Sequence, residues 1–186
     1  NQLDLPEGLI YCVMINGKEF IGNSSSSESP INKLFQKKEN SPISLVRIAI
    51  DFKHALKVEK IAKQLKDMGY LVGLNMMQAH EKSEEDYVKT AKTISSWGVI
   101  DVLYFADSLG NMTPVDVRKI CQVLKKGWAG PLGIHTHNNK NLALINSITA
   151  IENGVSWCDS TITGMGRGAG NVSTESLILE MSHLGY

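Results

Sequence analysis

Three short stretches carry side chains whose types and spacing could do chemistry. The first, Gly133-Ile134-His135-Thr136-His137-Asn138-Asn139, closes an apolar run with two histidines one residue apart. Side chains in a strand alternate between faces, so His135 and His137 would share one face and Thr136 would take the other. Two neutral imidazoles on one face can ligate one metal ion; two solvated strand-end histidines would show the same spacing, and the motif alone does not choose between them. The second stretch, Tyr104-Phe105-Ala106-Asp107-Ser108, ends a buried run in a carboxylate and a hydroxyl. Asp107 could orient a histidine ligand, help hold substrate, or cap a turn. Ser108 could donate to a substrate carboxylate or make a local turn bond.

The third stretch is Gly164-Met165-Gly166-Arg167-Gly168-Ala169-Gly170-Asn171. Glycine permits positive φ and close backbone approach, so several N–H groups can converge on one anion. The spacing and late position do not match a dinucleotide-binding turn, which follows the first strand of its unit. Asn171 can offer an amide oxygen to a metal or cap a helix, and Ser173 is also available for capping. Arg167 could neutralise a substrate acid or be solvated. His54, His80 and His183 stand alone in surface or cap positions, and no role is assigned to them.

These residues need elements to position them, and the apolar pattern supplies a repeat. Leu9 to Ile15 is a continuous apolar run of the kind that suits a strand buried on both faces. Gly22 to Pro30, with Ser24 to Ser27, reads as a polar loop, and Ile31 to Phe35 as a short helical turn. Further strands are expected at Leu45–Ile50, Tyr70–Met77 (with Asn75 near its end), Val99–Ala106, Leu132–His137 and Val155–Ile162.

Helices fall between the strands. One runs from about Ala55 to Met68, with Gly69 as its stop. A second is capped by Ser83 ahead of Glu84, Glu85 and Asp86. A third opens on Thr113-Pro114 and buries Val117, Ile120, Cys121 and Leu124. A fourth carries Leu142, Ile145, Ile148 and Ile151 on one stripe, and a last helix spans Thr174 to Leu184.

Strand–helix units of about 30 residues indicate right-handed βαβ crossovers and a parallel sheet. We expect an α/β fold of (β/α)8 TIM-barrel type, with about six of the eight units present, over an open doubly wound sheet. The whole of 1–186 reads as a single partial barrel domain, with an irregular first unit over 1–40 and regular βα units over 41–186. The chain opens on Asn1-Gln2-Leu3 rather than Met and reads as a piece of a longer protein. Asn75, Asp107, Ser108, His135 and His137 all end strands on the side where barrel enzymes keep their active sites.

Composition narrows the rest. Nineteen basic residues balance nineteen acidic ones with no basic cluster, so nucleic-acid binding has no electrostatic support. No apolar run approaches the ~20 residues of a membrane span, and no signal-peptide pattern is present. A soluble, cytoplasmic protein is expected. Cys12, Cys121 and Cys158 are odd in number and lack a CxxC, which fits free, mostly buried thiols.

Taken together, Asp107-Ser108, His135-Thr136-His137-Asn138-Asn139 and the Gly164–Asn171 turn resemble the metal-dependent barrel lyases and synthases. That family includes 4-hydroxy-2-oxovalerate aldolase, hydroxymethylglutaryl-CoA lyase and isopropylmalate synthase. The resemblance covers about Leu45 to Tyr186, and its aldolase branch is the most similar. Ala106-Asp107-Ser108, Asn139 and the Gly-Met-Gly-x-Gly-Ala-Gly-Asn turn match that branch. Synthases usually carry Asp where Asn138 or Asn139 stands, and Glu-Arg where Arg167-Gly168 stands.

The resemblance implies a divalent-metal-dependent aldolase that cleaves a 4-hydroxy-2-oxo acid through a metal-stabilised enolate. It implies His135 and His137 as metal ligands, Asn171 as a further ligand in the lyase manner, and Ser108 as a substrate contact, with Asp107, Asn75 and Arg167 as further candidates. Mn²⁺ is favoured by resemblance, while the donor set would also suit Mg²⁺, Co²⁺ or Zn²⁺. The family's Arg-Asp pair, which completes the metal site and stabilises the enolate, occurs nowhere in this sequence. No proton-transfer residue is therefore assigned. The expected partners are a small 2-oxo acid, an acylating aldehyde dehydrogenase and further copies of the same chain. An acyl-CoA condensing synthase, a hydroxymethylglutaryl-CoA-lyase-like enzyme, a barrel metallohydrolase and a non-catalytic fragment with an incomplete site are the competing readings.

Overall fold

The computed structural model describes residues 5–21 and 30–186. Within them, six strands form one sheet in sequence order, every pair parallel. The strands are β1 (Cys12–Asn16), β2 (Leu45–Asp51), β3 (Leu71–Met77), β4 (Val102–Asp107), β5 (Leu132–Thr136) and β6 (Trp157–Cys158). Doubly wound sheets reverse strand order at a switch point, whereas a barrel runs round in order, so the order alone selects the barrel. The helices are α1 (Pro30–Leu34), α2 (Glu59–Asp67), α3 (Glu84–Ser96), α4 (Pro114–Leu124), α5 (Ala143–Glu152) and α6 (Thr174–His183). The Ser24–Ser27 loop lies outside the described residues.

Alternation along the strands separates two layers. Val46, Ile48, Ile50, Val72, Leu74, Met76, Leu103, Phe105 and Ile134 face outward and pack with the helices in the main core. Leu45, Val102 and Tyr104 face inward with Trp157. The interior is crowded, and two strand glycines make room in it. A Cβ on Gly73 would stand 2.8 Å from Arg47 Cγ, and one on Gly133 would overlap the Tyr104 ring. The Arg47 guanidinium lies 3.8 Å from the centre of that ring. From there it crosses the interior to Asp159, just past β6, with Nη1 donating to Oδ1 at 2.7 Å. Contact between β2 and a residue beyond β6 shows that the sheet is curled into an arc of a barrel.

The caps follow the sequence. Ser83 Oγ accepts the Asp86 N–H at 3.1 Å at the start of α3. Thr113 and Asp116 form a reciprocal capping box on α4, with Pro114 at its first position.

Four expectations need correction. The first strand begins only at Cys12, and Cys12, Met14 and Asn16, one face of this edge strand, are exposed. Cys12 is accordingly not a buried thiol. The helix expected from Ala55 opens as 3₁₀ turns over Phe52–Val58 and becomes α-helical only at Glu59. On α5 the buried face is Ala143, Asn146, Ser147 and Ala150 with Ile148, while Ile145 points to solvent. Its apolar stripe is mis-phased in sequence because Asn146 donates to the Met112 carbonyl (2.9 Å) and Ser147 bonds Thr136 across the helix–strand contact (3.1 Å). Finally, the strand expected over Val155–Ile162 pairs only at Trp157 and Cys158. Beyond them the backbone turns, with a 3₁₀ turn at Ile162–Gly164 and Thr163 in the left-handed region.

Candidate metal and substrate site

His135 is the fourth residue of β5, and its ring points into the barrel, while Thr136 faces outward to bond Ser147. His137 follows the strand. Its N–H donates to the Asp107 carbonyl at 3.3 Å, and it pairs with Asn171 in an isolated antiparallel bridge. The two imidazoles meet edge to face, with centroids 5.1 Å apart at 83°. The alternation argument thus places both on the inner side, at the carboxyl end of the strands.

Asn171 reaches the site because the glycine turn folds back on itself. Its N–H donates to the Gly164 carbonyl at 3.0 Å, and the Asn138 N–H donates to the Gly170 carbonyl at 2.9 Å. Gly170 has φ +82°, and a Cβ there would collide with the Gly164 carbonyl. The Asn171 amide nitrogen donates to the Met165 carbonyl at 3.1 Å, which fixes the side-chain orientation. Its Oδ1 is buried and has no hydrogen-bond partner among the described residues. An unpartnered buried oxygen is costly unless something binds it. An amide oxygen on the segment bridged to His137 is a donor type that a cation can take.

Asp107 and Ser108 stand at the end of β4. Both Asp107 oxygens are in use, accepting the Asn111 and Met112 N–H groups at 3.0 and 3.2 Å. Burial raises the Asp107 carboxyl above its ordinary value, only partly offset by those two donors. Its side chain shapes the β4–α4 loop, and its carbonyl holds the His137 backbone. Ser108 Oγ accepts the Gln78 N–H at 2.9 Å, leaving its own hydrogen free to donate. Arg167 Nη2 donates to the Ser108 carbonyl at 3.3 Å, which brings the glycine turn over the end of β4. Asn75 lies deeper, 3% exposed, with its amide nitrogen 3.9 Å from Met14 sulfur and its Oδ1 unpartnered.

Burial, and then the charges of His135 and Arg167, hold the His137 imidazole below its ordinary pKa. Both effects favour the neutral ring, the form that binds metal. Two functional-looking residues escape the sequence reading. Asp159 Oδ2 lies 2.9 Å from His135 Nδ1, and its other oxygen takes Arg47. Burial alone would raise the Asp159 carboxyl, but the His135 ring and the Arg47 guanidinium outweigh it and hold it below the ordinary carboxylate value. The only sequence signal was a lone charge inside each apolar run: Arg47 in Leu45–Ile50, and Asp159 after Trp157-Cys158. Among the described residues, no three His, Cys, Asp or Glu side chains converge as a metal cluster. The candidate donors are the two imidazoles and the Asn171 amide oxygen.

Comparisons with known proteins bear on the family and the fold. A family model described as HMGL-like matches residues 43–186. A 4-hydroxy-2-oxovalerate aldolase from Carboxydothermus hydrogenoformans is 38% identical over 142 residues, covering 76% of this chain and 42% of the relative. One of the same name from Geobacillus genomosp. 3 is 37% identical, covering 82% of this chain and 45% of the relative. The chain therefore spans less than half the length of these curated relatives. Among solved structures, the N-terminal domain of an aldolase candidate from Bacteroides vulgatus superposes with TM-score 0.79 at 34% identity, covering 95% of this chain and 57% of that one. HMG-CoA lyase from Bacillus subtilis superposes at TM-score 0.77 with 16% identity, covering 98% of this chain and 65% of that one, and so shares the fold. No helix among the described residues is long and apolar enough to cross a membrane.

Proposed function

The chain belongs to the HMGL-like family, and on that premise we propose that it serves a divalent-metal-dependent aldolase acting on a 4-hydroxy-2-oxo acid such as 4-hydroxy-2-oxovalerate. The observation that carries the reading is the backbone bridge between His137 and Asn171, which brings the segment bearing the unpartnered Asn171 amide oxygen against the segment bearing the two histidines at the carboxyl end of the strands. His135, His137 and Asn171 would hold the cation, with Mn²⁺ favoured. Bound there, a divalent cation would supply Lewis-acid polarisation of the substrate's 2-oxo group.

The chain's own residues do the positioning. Ser108 would donate its free hydroxyl hydrogen to the substrate carboxylate, and Arg167, tied to the Ser108 carbonyl, would add positive charge on the same side. Asp107 shapes the loop after β4 through its side chain and holds the His137 backbone through its carbonyl. Cleavage would release pyruvate and an aldehyde, and an acylating aldehyde dehydrogenase is the class of partner that would consume the aldehyde.

The test is pyruvate release from 4-hydroxy-2-oxovalerate by the full-length protein with Mn²⁺, paired with equilibrium dialysis of Mn²⁺. Activity, together with Mn²⁺ binding abolished by the His135→Ala/His137→Ala double change, is the expected result. Turnover of acetyl-CoA plus a 2-oxo acid, with none of the hydroxy acid, would replace the aldolase by a condensing synthase. Equal Mn²⁺ binding by wild type and double variant would remove the metal site.

A further inference from the structure

Ligation by His135 requires that one particular ring nitrogen face the cation and that it carry no hydrogen. We propose that Asp159, clamped by Arg47, is a positioning residue that fixes the His135 tautomer, so that Nδ1 carries the hydrogen and Nε2 is left as the ligand nitrogen. This rests on the reading of His135 as a metal ligand and goes beyond it by assigning the atom and the group that selects it.

Four elements supply the parts. Asp159 Oδ2 lies 2.9 Å from His135 Nδ1. An ionised carboxylate can only accept, so a hydrogen bond there requires the hydrogen on Nδ1. Asp159 Oδ1 accepts from Arg47 Nη1 at 2.7 Å, so both carboxylate oxygens are engaged and the group cannot rotate away from the ring. Arg47 is held in turn by the Tyr104 ring beneath its guanidinium and by the space that Gly73 leaves for its stem. Asp159 comes from the segment after β6, Arg47 from β2, Tyr104 from β4 and His135 from β5. Among the described residues, no carboxylate bonds the His137 ring in this way, so the two imidazoles are not equivalent. A carboxylate behind a ligating imidazole orients the ring and raises its basicity, and loss of such a group costs about 10- to 100-fold in metal affinity.

A purely structural account would leave Arg47 and Asp159 as an ion pair that ties β2 to β6, with no say over the ring. The two accounts differ in what Asp159→Asn does. Arg47 can only donate, so the amide oxygen of the variant would turn to Arg47 and its NH₂ would face His135 Nδ1. That nitrogen must then accept, and the hydrogen moves to Nε2.

The experiment is a long-range ¹H–¹⁵N correlation on histidine-labelled full-length protein without metal, at about pH 8, where imidazoles are neutral. The expected result is Nδ1–H at His135 in wild type and Nε2–H in Asp159→Asn, with the His137 signals unchanged as a reference for folding. Arg47→Met should keep Nδ1–H even where stability falls, because Asp159 still accepts. Mn²⁺ affinity measured by calorimetry should fall about 10- to 100-fold in Asp159→Asn. Wild-type Nε2–H, or a tautomer unmoved in Asp159→Asn, overturns the proposal, and the wild-type spectrum alone decides it if the variant does not fold. Unchanged Mn²⁺ affinity in Asp159→Asn, alongside lost affinity in His135→Ala, sinks the positioning role and leaves the metal site standing. Absence of Mn²⁺ binding in wild type sinks the metal site, while the tautomer still reports on Asp159.

Discussion

Arg47 on β2 and Asp159 just past β6 stand four strands apart in the sheet, yet ion-pair at 2.7 Å through the barrel interior. The pair closes the arc of the sheet and sits directly beneath the histidines. Removing Asp159 would leave the buried Arg47 charge without its carboxylate. Asp159→Leu should therefore cost about 3 kcal/mol in urea unfolding, whereas Arg47→Met/Asp159→Leu should recover much of that loss. Additive losses in the double variant would show that the two side chains are not coupled.

Space in the interior is the second determinant. A methyl on Gly133 would stand 2.4 Å from two carbons of the rigid Tyr104 ring, whereas a methyl on Gly73 meets the flexible stem of Arg47. Gly133→Ala should cost at least about 2 kcal/mol and exceed Gly73→Ala when the two are compared by thermal or urea unfolding. Tyr104→Leu should relieve the Gly133→Ala variant. An equal cost for the two alanines would contradict the packing described.

How much of this was legible in sequence depends on range. Alternation put His135 and His137 on one face, and the strand–helix repeat announced parallel βα units, because both are local properties. Ser83 and Thr113 declared their helices through bonds made within three residues. Arg47 and Asp159 could not be paired from sequence. Their contact spans 112 residues and depends on sheet curvature, which leaves no periodic trace. The α5 stripe misled for a related reason. Buried polar residues such as Asn146 and Ser147 are satisfied by partners on other elements, so hydrophobicity alone assigns them to the wrong face.

The α4 cap gives a pH prediction. Burial opposes ionisation of Asp116, but the hydroxyl and N–H of Thr113 outweigh it and hold the carboxyl below its ordinary value, with His80 at 3.6 Å adding to the effect when protonated. A depressed value in the folded state means that the stabilisation is present above about pH 4, the unfolded value, and is lost as pH falls through the folded one. Stability of wild type should decline on that acid limb more steeply than that of Asp116→Asn. Thr113→Ala should cost about 1 kcal/mol at neutral pH. Superimposable acid limbs would rule out the Asp116 contribution.

At the mouth, Asn171 and Ser108 should separate by readout. Asn171→Ala removes an oxygen from the cation and should weaken Mn²⁺ binding about tenfold, or about 1.4 kcal/mol. Ser108→Ala should leave Mn²⁺ binding unchanged and weaken pyruvate binding by a similar factor. Both can be read by calorimetry, and a swap of the two effects would exchange the roles given to these residues.

The brevity of β6 bears on the site's dynamics. Only Trp157 and Cys158 join the ladder, and the chain from Asp159 to Ser173 is otherwise held by isolated bridges at His137–Asn171 and Thr161–Ser173 and by single bonds such as Asn138 N–H to the Gly170 carbonyl, Arg167 to the Ser108 carbonyl and the Asp159 contacts with Arg47 and His135. Few ladder bonds mean a low free energy of local opening, so amides in this stretch should exchange faster than those of β2 to β5. Asn171 thus rides on the most easily opened part of the site, and His137 on a firm one. A cation held by both would act as a clasp between them, and its binding energy would register as slowed exchange over the glycine turn.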